Sequence, residues 1–141
     1  MKGRSVALDN CHKQVVNALI KAGWIVDTTA YFLEHDETVI YPDIRAHLAN
    51  GKTQDIIVVE VKCFSDKSAY QNEFYRAVGQ YLFYRTIMIL KQIPGKLYLS
   101  VPITVYESYF VTDSVAETIK SSQISLVIVD IEREEIVQWL D

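Results

Sequence analysis

Apolar residues recur at three- and four-residue intervals from about Arg4 to Ala22, where Leu8, Val15, Leu19 and Ala22 form one stripe. That period predicts an amphipathic helix, and Gly23 stands where a helix C-terminus favours glycine. Three strand-like stretches follow, Trp24 to Phe32, Thr38 to Ile44 and Asp55 to Phe64. A turn at Asn50-Gly51 separates the last two, so a three-stranded meander is expected. A long, aromatic-rich helix is predicted from Ser68 to Leu90, closed by Pro94-Gly95. Lys96 to Val101 then reads as a short buried strand. Pro102 is placed to open a short helix reaching Phe110, and Ser114 to cap another ending near Ser122. Ser125 to Asp130 and Glu135 to Leu140 form an expected hairpin around Glu132-Arg133-Glu134. No internal repeat, linker or low-complexity segment interrupts this order, which predicts a mixed α/β or α+β domain covering residues 1–141.

Composition narrows the class. A chain of 141 residues, half of them hydrophobic, can bury a sizeable core without covalent staples. Its apolar residues fall in short groups broken by charge, so no membrane span is expected. Lys2, Arg4, Asp9, Asn10 and His12 make the N-terminus too polar for a signal peptide, which leads us to expect a cytoplasmic protein. Cys11 and Cys63 have neither zinc-site spacing nor a disulfide framework around them, and both are expected to be reduced and structural. A net charge of −4 and a pI near 5.3 argue against a protein that holds DNA by bulk electrostatics. Any DNA contact must use a local patch, for which Arg45, Lys52, Lys62, Lys67, Arg76 and Arg85 are candidates; a solvated mixed surface explains them equally well.

The residues with chemical potential lie in the middle of the chain. Asp43 follows Pro42 at the expected end of a strand, and Glu60 and Lys62 sit in the run Ile56 to Lys62. Alternation places Ile56, Val58, Glu60 and Lys62 on one face, apolar at one end and charged at the other. A carboxylate there must be ion-paired, edge-exposed or bound to a cation. Two carboxylates from neighbouring strands suit magnesium or manganese, with the Val61 carbonyl as a further ligand. Lys62 beside them can orient a water and stabilise negative charge at a phosphodiester. The alternative is that Glu60 and Lys62 decorate the solvated face of a sheet. On the long helix Arg76, Gln80 and Tyr84 share a face and can position water and phosphate, or simply form the helix surface. His12 falls on the stripe of the first helix, either as a hydrogen-bonded core residue or as a ligand for metal or substrate.

These residues stand together as a known pattern. Pro42-Asp43 with Glu60-Val61-Lys62 resembles the PD-(D/E)XK signature, and Gln80-Tyr81-Leu82-Phe83-Tyr84 resembles the Gln-x-x-x-Tyr motif of its RecB-like members. His12 is similar to a histidine that some of those nucleases use near their metal. The predicted order α-β-β-β-α-β is also that superfamily's restriction-endonuclease-like core. More narrowly, the chain resembles the XisH family of fdxN element excision controlling factors through Asn17 to Lys21, Gly23-Trp24, Val59 to Lys62, Gly79 to Tyr81, Tyr84-Arg85, Leu97 to Leu99 and Glu135 to Trp139. Arg45 to Asn50 departs from the family pattern and is expected to be a loop.

The resemblance implies a factor acting on DNA, with a companion called XisI, in programmed excision of an element that interrupts a nitrogen-fixation gene; a homo-oligomer is a further expectation. Two readings of the chemistry follow. One is a magnesium- or manganese-dependent DNA endonuclease using Asp43, Glu60, Lys62 and Gln80, assisted by His12, Arg76 and Tyr84. The other is a non-catalytic, DNA-associated control subunit that retains the fold and the site residues.

Overall fold

The computed structural model describes residues 2–27, 32–48 and 55–141, with side chains from Cys11 onward. Helix α1 (Lys2–Lys21) precedes strand β1 (Trp24–Val26), a small hairpin of β2 (Leu33–His35) and β3 (Thr38–Ile40), and strands β4 (Ile44–Leu48) and β5 (Ile56–Val61). Helix α2 (Tyr70–Leu90) then leads to β6 (Lys96–Pro102), and a short helix α3 (Ile103–Val105) runs into a π-helical turn over Tyr106–Phe110. Helix α4 (Asp113–Ser121) and the hairpin of β7 (Leu126–Asp130) and β8 (Glu135–Leu140) complete the chain. The fold is mixed α+β.

Six strands form one mixed sheet in the order β1-β4-β5-β6-β7-β8. β1, β4 and β5 are antiparallel, β5, β6 and β7 are parallel, and β8 returns antiparallel to β7. The parallel pairs need crossovers, which α2 and the α3–α4 region supply. Alternation along β5 divides the core. Val58 faces a layer containing Phe74, Ala77 and Tyr81 of α2, whereas Ile57 and Val59 face a layer containing Val15, Ala18 and Leu19 of α1. Tyr81 fastens α2 to the sheet: its buried hydroxyl donates to the Leu97 carbonyl at 2.9 Å and accepts the Ser125 N–H at 3.1 Å.

Several expectations need correction. The predicted meander is broken into two pieces, because Asp36 in left-handed backbone (φ 55°) turns the chain between β2 and β3 as a separate hairpin. Buried Pro42, which has no N–H for a ladder, then parts β3 from β4. Arg45 to Leu48 is therefore strand and not loop, since Ile44 and Ala46 alternate into the core, and Asp43 stands at the start of a strand instead of the end of one. On α1 the buried face is Cys11, Val15, Ala18 and Leu19, while Ala22 is exposed. Thr112, not Ser114, occupies the N-cap of α4. Cys11 and Cys63 are joined in a disulfide, their Cα atoms 5.7 Å apart, because the buried face of α1 packs on the exit of β5. The Asn50-Gly51 turn lies outside the described residues.

Candidate active site

Antiparallel pairing of β4 with β5 brings Asp43 to Glu60. Ile44 is opposite Val59, so the next position outward sets Asp43 beside Glu60. The two residues are tied reciprocally. Asp43 Oδ2 accepts the Val61 N–H at 2.8 Å, the Glu60 carboxyl accepts the Asp43 N–H, and the two carboxyl groups share a hydrogen bond. Two carboxyl groups can share a hydrogen bond only if one holds a proton. Burial first, and then the Asp43 carboxylate, push the Glu60 carboxyl up to about 8.

Lys62, on the same face as Glu60, opposes that rise with its positive charge. It is held at the backbone by an N–H bond to the Ser100 carbonyl at 3.2 Å. From α2, Tyr84 lies close enough for both carboxylates to push its hydroxyl up, after the effect of its own burial. Gln80, one turn earlier on that face, has its Oε1 buried without a hydrogen-bond partner. His12 Nε2 reaches the Asp43 carbonyl at 3.3 Å. Arg76 is exposed and interacts with Glu73 on the outer side. Thus Asp43, Glu60, Lys62, Tyr84 and His12 are brought together, Gln80 lies one turn before Tyr84 on α2 with no contact to them among the described residues, and Arg76 stands beside Glu73.

Among the described residues no group of three or more His, Cys, Asp and Glu side chains is placed to hold a metal. The donor set nevertheless fits magnesium or manganese, which take one or two carboxylates and keep several waters. Glu60 is 4% exposed and its Oε1 has no partner. A buried, unpaired carboxyl oxygen against a second carboxylate is the vacancy in hydrogen bonding that a divalent cation satisfies. A strand residue sends its N–H and C=O to the same edge, so the Val61 carbonyl leaves on the side of Asp43.

Sequence reasoning missed Glu73 and the disulfide. Glu73 lies in the first turn of α2, accepts the Phe64 N–H and faces Lys62. Its spacing of seven from Gln80, two helical turns, is the signal that would have found it.

The molecule so defined is an α+β protein whose mixed sheet presents two carboxylates and a lysine at the junction of an antiparallel and a parallel strand pair. The family model described as XisH protein matches residues 6–137, and the chain belongs to the XisH family. Two crystal structures are similar along nearly the whole chain: an XisH family protein from Nostoc punctiforme and an fdxN element excision controlling factor protein from Anabaena variabilis. Each has 32% identity and a TM-score of 0.85, with 94% of this chain and 99% of the other covered. No curated protein matches.

Proposed function

We propose that this chain is an excision controlling factor that acts on DNA by metal-dependent cleavage of a phosphodiester, at a PD-(D/E)XK-type endonuclease site. The observation that carries the reading is the Asp43–Glu60 carboxyl pair, in which an exposed Asp43 stands against a buried Glu60 whose Oε1 has no hydrogen-bond partner, with Lys62 on the same face as Glu60. Family membership and the relative called an fdxN element excision controlling factor support the biological setting. DNA is the substrate in this reading, and a companion factor of the XisI kind is the expected partner.

Asp43, Glu60 and the Val61 carbonyl would hold magnesium or manganese. A cation held there would supply an acidified water and offset charge on the phosphoryl oxygens. Lys62 orients the attacking water and stabilises charge that develops at phosphorus. Gln80, with its amide beside this face of α2, orients water or phosphate, while Tyr84 offers a hydroxyl to the carboxylates. His12 braces Asp43 through its carbonyl. The acidic net charge of −4 favours the second reading, a control subunit without turnover, and the experiment separates the two.

The test combines manganese calorimetry with single-turnover cleavage of supercoiled, branched and single-stranded DNA, with and without the companion. Asp43→Ala is expected to lose manganese binding. Lys62→Ala is expected to keep it and to lose about a hundredfold to a thousandfold in rate; Gln80→Ala should lose less. Equal manganese binding by wild type and Asp43→Ala removes the metal site. Wild-type cutting by Lys62→Ala removes the lysine assignment, and no cutting by wild type on any substrate selects the control subunit.

A further inference from the structure

Lys62 is followed by a segment whose geometry needs support. Phe64, two residues on, is an aromatic residue in left-handed backbone, with φ 50°. Bulky residues rarely adopt that conformation, and it persists only where the surroundings over-determine it. The Phe64 side chain, 2% exposed, is caged by rings of Tyr70, Phe110 and Tyr109 at centroid distances of 5.7, 5.5 and 6.4 Å. Its backbone N–H is taken by the Glu73 carboxylate from the first turn of α2. Glu73 also faces the Lys62 charge, and its Oε1 is buried with no hydrogen-bond partner. A carboxylate needed only to cap α2 gains nothing from such a buried oxygen.

We propose that Glu73 is a positioning residue of the site, holding the exit of β5 through the Phe64 N–H and drawing the Lys62 ammonium to its working place over the Asp43–Glu60 pair. The inference rests on the reading of Lys62 as the catalytic cation. Two carboxyl groups, one from β5 and one from α2, interact with the Lys62 charge. Their joint attraction limits where the flexible four-carbon stem carries the ammonium. Glu73 touches neither metal nor phosphate in this arrangement and acts through its neighbours.

The experiment uses the full chain with Glu73→Ala and Glu73→Gln, measuring three things. The first is amide hydrogen exchange at Phe64, which should quicken about tenfold in Glu73→Ala. It should stay protected in Glu73→Gln, whose amide oxygen still accepts. The second is acylation of Lys62 by an amine-reactive reagent, expected to change by about threefold or more in both variants, because both lose the facing charge. A brace with a purely structural role leaves Glu73→Gln like wild type in this measurement. The third is single-turnover cleavage, expected to fall about a hundredfold in Glu73→Ala with manganese affinity retained. Unchanged Phe64 exchange in Glu73→Ala, or unchanged Lys62 acylation in Glu73→Gln, overturns the proposal, as does wild-type cutting by both variants. A wild type that cuts nothing overturns the nuclease reading alone, and exchange and acylation then decide the role of Glu73. Should Glu73→Ala fail to fold, as exchange in β6 and β7 would reveal, Glu73→Gln decides through acylation and cleavage.

Discussion

Protonation of Glu60 can be followed through the stability of the metal-free protein. Glu60 has an ordinary value of 4.5 and is pushed up to about 8, chiefly by burial and then by Asp43. Between those two values the folded chain keeps a proton that the unfolded chain has lost. Stability linked to Glu60 is therefore fully present below pH 4.5 and is lost as the pH rises through about 8. Glu60→Gln removes this dependence. In chelator, wild type and variant are expected to differ little in their pH response near pH 4, and the variant should gain on wild type by roughly 5 kcal/mol by pH 9. Thermal melts across that range check it, and a constant difference between the two proteins would sink it. A cation at the same carboxylates has the opposite preference, because metal ligands must be deprotonated.

Helix α2 carries Tyr84 to the carboxyl pair and Glu73 to Lys62, and it contains a glycine that packing does not require. A Cβ built on Gly79 meets nothing within 4 Å. Glycine in a helix interior is less favourable than alanine by about 1 kcal/mol, so Gly79→Ala is expected to stabilise the protein by that amount. A chemical denaturation midpoint below that of wild type would contradict it. The helix itself was legible because its apolar and aromatic positions repeat over more than twenty residues. Glu60 and Lys62 were legible because strand alternation gives one face without knowledge of any partner. The register that sets Asp43 beside Glu60 was not, since it depends on which strands pair. Pro42 was read as part of a strand when it stands between two, and Arg45 to Leu48 looked like loop because its strand, Ile44–Leu48, has only five residues. Glu73 was hidden for a different reason: one acid in the first turn of a helix is ordinary until tertiary packing buries it.

Charge over the whole molecule decides how DNA would be met. Of the basic residues in the central segment, Arg45 pairs with Asp27 at 2.6 Å. Arg85 is spent on the carbonyls of Gln123 and Ser122 at 2.8 and 3.0 Å. Lys52 lies outside the described residues. Lys62 and Lys67 lie in the segment that joins β5 to α2, and Arg76 follows on α2 beside Glu73. Such a short list on a chain of net charge −4 predicts weak binding with few phosphate contacts. Lys67→Ala and Arg76→Ala should each weaken binding on all DNA sequences and reduce the salt slope by about 0.9. Fluorescence anisotropy over a salt series measures this, and slopes unchanged in both variants would move the DNA elsewhere. Among the described residues no helix is long and apolar enough to cross a membrane. Trp139 packs against Tyr98 and Trp24 at ring-centroid distances of 4.9 and 5.9 Å.

The bond between Cys11 and Cys63, 52 positions apart, turns the first half of the chain into a covalent ring. His12, Asp43, Glu60 and Lys62 all lie inside the ring, while Glu73, Gln80 and Tyr84 lie beyond it. In a denatured chain the two carboxylates therefore remain tethered to one another around a closed circuit, and only α2 has to find them afresh. The ring also has a signature on a gel. One cleavage after Arg45 would leave two fragments that travel together until a thiol reductant is added. Two bands without reductant would show an open chain, in which the approach of α1 to Asp43 depends on packing alone.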